Sequence, residues 1–324
     1  MRVAAPSLPR FTADTEGGGQ AASLPEPAAS AISIMSKAFI HPEYLVSTEW
    51  LARNLHNADV RVLDCTTHLP PKPDFSLYDV VPGREDFENA HIAGAAFLDI
   101  EHDVSQPHPL LHFMLPDAAK FAAAMVDLGV SDHTRVIAYS TANHWWATRL
   151  WWMLRVFRHD NAAVLDGGFQ KWKAENRPVE CGAARANSKG HFTVRPPRRD
   201  LVAGREDVLA AIGMEGSCTI NALRAEQHAG KAGVHYGRRG HIKGSVNIPS
   251  IEHLKADNTF RSAEELGALF ATALQTPNII TYCGGGIAAT SVALVLAMLG
   301  RDDVKVYDAS LTEWAADPAL PMEL

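Results

Sequence analysis

RVIAYSTANHWWATRLWWML (residues 135–154) and NIITYCGGGIAATSVALVLAML (residues 278–299) are one design written twice. Each begins with a β-branched apolar run, reaches a tyrosine followed by one small residue, turns, and continues as a long apolar segment. Tyr139-Ser140 answers to Tyr282-Cys283, and an Ala-Thr pair recurs beyond a turn that is shorter in the second copy. Two further blocks repeat in the same order. HIAGAAFLDI (91–100) matches HIKGSVNIPS (241–250), and VLDGGFQKW (164–172) matches VYDASLTEW (306–314). A period of about 140–150 residues is far too long for a solenoid and marks a duplicated domain. The repeat places one domain at 41–180 and a second at 201–324, joined by a linker, 181–200, that contains RPPRRD.

Within each copy, short β-branched runs end in turn residues: RVLDCTT, RVIAYS and AAVLD in the first, CTINAL, NIITYC and VKVYD in the second. Helical patterns lie between them, such as AAKFAAAMVDLGV (118–130), stopped by Gly129, and AEELGALFATAL (263–274). Strands alternating with helices predict an α/β fold, a mainly parallel sheet flanked by helices in each copy. Active sites in such sheets lie beyond the carboxyl ends of strands, where Cys283 falls.

Composition narrows the function. With 324 residues, 47% hydrophobic and 21% charged, the chain has the make-up of a globular protein with buried cores. A net charge of −7 argues against nucleic acid or an anionic membrane as a partner, because both want a basic face. Four cysteines without CxxC spacing predict reduced, cytoplasmic usage and no zinc site. Fifteen histidines bring no ligand spacing with them, so neither a metal nor an organic cofactor is expected. Residues 1–40, rich in Ala, Pro, Ser and Gly, read as a disordered tail; mitochondrial targeting by this tail stays open, as does initiation at Met35.

Cys283 stands between a buried strand and three glycines. Glycines admit a tight turn and leave backbone N–H groups unobstructed, at the positive end of the helix that begins near Ile287. Such a nest stabilises a thiolate, and the thiolate is the nucleophile. A lone cysteine after a buried strand is also a common packing residue. The repeat separates the two readings. Ser140 replaces Cys283 in the first copy, and Thr-Ala-Asn-His-Trp-Trp replaces the glycines, so only one copy keeps the nest.

Taken together, HIAGAAFLDI, WWMLRVF, VLDGGFQKW, GHIKGSVNIP, YCGGGIAAT and VYDASLTEW resemble blocks of the two-domain rhodaneses, the thiosulfate/3-mercaptopyruvate sulfurtransferase group, over about residues 41–320. That resemblance implies two tandem rhodanese-like domains, the first non-catalytic, with a persulfide formed on a cysteine of the second. By residue match the cysteine is Cys283, and Gly284, Gly285, Gly286, Ile287 and Ala288 form its loop. The implied partners are a small-molecule sulfur donor and a thiol or cyanide acceptor; the oligomeric state stays open. Thiosulfate-preferring relatives carry cations inside the loop, whereas mercaptopyruvate-preferring ones have a neutral Cys-Gly-Ser-Gly loop. The neutral Cys-Gly-Gly-Gly here leans toward mercaptopyruvate, although Gly285 stands where some relatives have a serine assigned to proton transfer. Family arginines that hold the donor's anionic end point to Arg224 in NALRAEQH and to Arg238 or Arg239 in YGRRGHI.

Other residues read more simply. His91 and His241, equivalent in the repeat, are turn residues first, although some relatives assign proton transfer at the His91 position; Asp64 and Asp79 read as caps or turn residues. Trp145, Trp146, Trp151 and Trp152 are core by helical spacing, and Cys65 and Cys218 are inert. A cysteine-dependent phosphatase or arsenate reductase needs an arginine six residues after its cysteine, and Ala289 stands there. A non-catalytic protein-binding module has no need of both the cysteine and its glycines.

Overall fold

A computed structural model describes residues 38–184 and 188–324, so all but the last three residues of the expected tail lie outside the described residues. Each β-branched run forms a strand one or two residues shorter than its apolar pattern. The first copy contributes β1 (Leu45–Val46), β2 (Val60–Asp64), β3 (Ala96–Phe97), β4 (Arg135–Tyr139) and β5 (Ala162–Leu165). The second contributes β6 (Val202–Ala203), β7 (Ser217–Asn221), β8 (Val246–Asn247), β9 (Asn278–Tyr282) and β10 (Lys305–Tyr307). The sheet orders are β1-β5-β4-β2-β3 and β6-β10-β9-β7-β8, the same topology twice, and every pairing within them is parallel. Central strands are buried throughout, as expected of sheets covered on both faces.

The copies also share their smaller fastenings. The Ile92 N–H donates to Tyr139 Oη at 3.2 Å, and Ile242 N–H to Tyr282 Oη at 3.1 Å. Trp172 Nε1 donates to Pro178 O at 2.8 Å, and Trp314 Nε1 to Pro321 O at 3.1 Å. The expected helix over 263–274 is broken at Phe270 into Ala263–Leu269 and Ala271–Leu274.

The two copies meet along the repeated helices themselves, His144–Val156 and Ala289–Met298. All ten residues of the second are buried, as are eleven of the thirteen in the first. An α-helix apolar on every side needs cover on every side, and the first copy supplies part of it. Thr148 and Thr290, equivalent in the repeat, share a buried hydrogen bond of 2.8 Å. Beside them the Ser291 hydroxyl lies 2.8 Å from both His144 Nε2 and His253 Nδ1. Trp146, Trp151 and Trp152 are buried core, and Trp145 is partly buried against it, in line with their helical spacing. Within the linker Phe192 is buried and lies edge-on to Phe121 at 5.9 Å. No helix of the described residues is long and apolar enough to cross a membrane.

Candidate active site at Cys283

Strand β9 ends at Tyr282, and the helix begins at Ala289, two residues later than its apolar pattern suggests. The six residues between them form the loop. Its carbonyl oxygens are held from outside. Cys283 O accepts from Leu311 N–H, Gly284 O from the N–H and hydroxyl of Thr312, Gly286 O from Arg149, and Ile287 O from Thr290. Two loop N–H groups, those of Cys283 and Gly286, donate to Ser310 Oγ at 3.1 Å each, and that hydroxyl donates onward to Tyr307 O at 2.7 Å. The N–H groups of Gly284, Gly285, Ile287 and Ala288 have no acceptor among the described residues. A turn with most of its carbonyls engaged and four of its six N–H donors unspent, at the start of a ten-residue helix, is suited to an anion.

The glycines are there for room as well as for backbone freedom. A Cβ on Gly284 would fall 2.1 Å from the ring of Tyr236. At Gly286, φ is +74° and a Cβ would lie 2.4 Å from Asp308 O. Ser310 (φ +51°) and Phe113 (φ +62°), beside the loop, and Phe75 (φ +57°), at the tip of the hairpin over residues 70–79, also take the left-handed backbone. For a phenylalanine this conformation is a true outlier, and such strain gathers at functional sites.

The first copy encloses the site. Arg149, fully buried in the His144–Val156 helix, donates to Asp308 Oδ1 at 2.6 Å, to Gly286 O at 3.2 Å and to Phe113 O, and its guanidinium lies 4.8 Å from the Trp152 ring. The other Asp308 oxygen accepts from Leu115 N–H at 2.8 Å. A hairpin spanning 70–79 crosses from the first copy onto the second, where Phe75 O accepts from His235 N–H at 3.0 Å. It carries Tyr78 to the loop, edge-on to Tyr236 at 6.4 Å. Cys283 is 2% exposed, so a small molecule reaches its sulfur only when these rings shift.

The arginines part company. Arg238, expected as a candidate for the donor's anionic end, spends four of its five guanidinium N–H groups on the carbonyls of Trp314, Ala315, Asp317 and Leu320. It clamps the turn after the Ser310–Trp314 helix. Arg224 and Arg239 are exposed, and neither side chain has a partner among the described residues. Arg224 borders an open apolar groove with Phe75 and Val234, and Arg239 lines a cleft with Tyr236.

His91 and His241, expected in turns, each open a two-residue antiparallel strand, His91–Ile92 and His241–Ile242, just before the turn. Their Nδ1 atoms lie 2.7 Å from Phe87 O and 2.8 Å from His228 O, and their rings stack on Phe87 and His228. Asp64 Oδ1 accepts from the Thr66 N–H and hydroxyl, and burial pushes its carboxyl up to about 6. Asp79 is exposed. Burial raises the thiols of Cys65 and Cys218, which suits inert residues. Ser310, Arg149, Asp308, Tyr78 and Tyr236 were not foreseen. Only Ser310 left a signal, as the residue opposite Gly168 in the repeat.

Comparison with known proteins agrees with this architecture. The family model for the rhodanese-like domain matches residues 47–175 and 223–317. The chain is 32% identical over 290 residues to a 3-mercaptopyruvate sulfurtransferase of Escherichia coli, covering 86% of this chain and 98% of that one. It is 33% identical over 287 residues to a thiosulfate sulfurtransferase of Rattus norvegicus, covering 83% and 91%. A crystal structure of a 3-mercaptopyruvate sulfotransferase from Escherichia coli, with the rhodanese fold, superposes with a TM-score of 0.72 at 31% identity, over 82% of this chain and 98% of that one. The chain belongs to the rhodanese-like domain family and, within it, to the two-domain sulfurtransferases.

Proposed function

We propose that the protein moves sulfane sulfur through a persulfide on Cys283, taking it from 3-mercaptopyruvate and passing it to a thiol or to cyanide. The observation that carries this reading is the set of unspent N–H groups on Gly284, Gly285, Ile287 and Ala288, behind a cysteine at the end of a buried strand. A terminal persulfide sulfur is anionic and takes such donors as partners. In the first step the Cys283 thiolate attacks the donor sulfur and the carbon–sulfur bond breaks. Its electron pair stays on the carbon, which takes up the proton the sulfur carried, and pyruvate leaves. In the second step an acceptor thiolate or cyanide attacks the terminal sulfur and Cys283 departs as thiolate, so the kinetics are ping-pong.

Mercaptopyruvate is favoured over thiosulfate by the residues of the loop, which carry no cation to meet a dianion. The likeness to a thiosulfate sulfurtransferase supports thiosulfate as the second candidate. Arg224 and Arg239, free of partners on the face that carries Tyr236, are the cations proposed for the donor's carboxylate. The test is to incubate the protein with each donor and weigh it intact. Gain of one sulfur atom, lost on adding cyanide and absent in Cys283→Ser, is the expected result. No gain with either donor would sink the proposal and favour a binding module.

A further inference from the structure

Gly285 has no side chain, and a hydroxyl stands beside it all the same. Tyr78 brings its phenol from the first copy to within 3.1 Å of where a Gly285 Cβ would lie. The residue is 7% exposed, yet its hydroxyl has no hydrogen-bond partner among the described residues. The hydroxyls of the tyrosines that end the long strands are engaged, Tyr139 with Ile92, Tyr282 with Ile242 and Ser245, and Tyr307 with Glu313, whereas Tyr44, Tyr78 and Tyr236 have no hydroxyl partner among the described residues. An unspent hydroxyl against a nucleophile's loop is available to a ligand bound there.

The ring is carried by a fastened hairpin. The hairpin beneath it is closed by Lys72 N–H to Leu77 O at 2.9 Å and Asp79 N–H to Pro70 O at 2.9 Å. Tyr236 meets it edge-on at 6.4 Å, and His112 lies 6.3 Å away on the other side. Burial raises the phenol well above its ordinary value, with the Cys283 sulfur and Glu101 adding to the rise. It therefore stays protonated at physiological pH and acts as a donor. The chemistry proposed above makes such a donor useful. When the carbon–sulfur bond of mercaptopyruvate breaks, the electron pair left on carbon is delocalised onto the adjacent ketone oxygen as an enolate. A donor aimed at an oxygen that gains charge only in the transition state accelerates the step. Thiosulfate, which releases sulfite, has no such oxygen.

We infer that Tyr78 is a substrate-contacting residue whose hydroxyl donates a hydrogen bond to the ketone oxygen of the sulfur donor, which makes this site selective for 2-keto thiols. This inference rests on the sulfur-transfer reading, and one experiment separates the two. Wild type, Tyr78→Phe and Tyr236→Phe full-length chains are loaded in single turnover with 3-mercaptopyruvate and, separately, with thiosulfate, and sulfur uptake is followed by intact mass. Tyr78→Phe keeps the ring and its packing. It is expected to lose about ten- to a hundred-fold in loading from mercaptopyruvate and less than about three-fold from thiosulfate. Alkylation of Cys283 by iodoacetamide and the melting temperature are expected to stay at wild-type values. Undiminished loading from mercaptopyruvate in Tyr78→Phe, or an equal loss with both donors, overturns the assignment, as does wild type loading from thiosulfate alone. Wild type that loads from neither donor overturns the sulfur-transfer reading itself, and this inference with it.

Discussion

Ser140 and Cys283 close the same strand in two copies of one fold, and the turns behind them treat their amides in opposite ways. In the first copy, Thr141 N–H donates to Thr66 Oγ1 at 2.8 Å and Ala142 N–H to Ser140 Oγ at 3.0 Å, while Gln170 reaches back to Thr141 O. Side chains there consume the turn. In the second copy, side chains and backbone hold the carbonyls from behind, and four N–H groups remain unspent. The left-handed position that follows β5 and β10 is Gly168 (φ +57°) in the first copy and Ser310 (φ +51°) in the second. Only the copy with the cysteine accepts strain there, and it gains a hydroxyl that anchors both ends of the loop. What divides the two turns in this frame is which of their groups are already satisfied.

The comparison is open to direct attack. The largest effect belongs to the nucleophile. Cys283→Ser is expected to take up no sulfur, and Ser140→Cys in that background should not restore uptake, since side chains already engage the Thr141 and Ala142 N–H groups of that turn. A sulfur adduct at residue 140 in the mass spectrum would break the argument. Next is the arginine that ties the copies together. Arg149→Ala leaves the Asp308 carboxylate buried without its cation, and such losses cost about 3–5 kcal/mol. Denaturant unfolding should register that loss, whereas Arg155→Ala, whose partner Asp302 is more exposed, should cost well under half as much.

Making the second copy resemble the first gives a subtler effect. Ser310→Gly suits the positive φ, so stability should hold, while the loop loses its anchor and sulfur loading falls by about ten- to a hundred-fold. Equal activity would show that the strain serves nothing. The smallest effect concerns pH. Burial holds His144 down at about 3 and pushes His253 well below its ordinary value. Below about pH 6.5 the unfolded chain binds protons that these rings refuse, so stability falls as pH falls, by up to about 1.4 kcal/mol per unit for each ring. Asp64 and Asp166, raised by burial to about 6, act in the opposite sense between about pH 4 and 6. The difference between wild type and His144→Asn, measured as melting temperature from pH 7 to 5, isolates the histidine contribution and should shift in the variant's favour toward acid, because only wild type loses that contribution.

The duplicated α/β frame and the position of Cys283 were legible because they rest on local pattern: β-branched runs, glycine turns and a repeat long enough to align. The rest of the site was not, since it is assembled by tertiary structure. Tyr78 lies some two hundred positions before the glycines it covers, and nothing in its neighbourhood singles it out. Arg238 shows the converse. Two arginines before a repeated turn look alike whether they bind a carboxylate or four carbonyls, and carbonyls leave no trace in a sequence. The helix start at Ala289 was missed by two residues for a similar reason, because Ile287 and Ala288 have apolar side chains but backbones that belong to the loop.

The 289–298 helix has a practical corollary for anyone hoping to trim the protein to its reactive portion. Excised from residue 201 onward, that portion would present to water an aliphatic stripe bearing Ala293, Leu294 and Ala297, with no charged residue to keep such fragments apart. A minimal version therefore needs a rewritten outer surface, and its failure without one would reflect clumping of fragments rather than any deficiency in the chemistry.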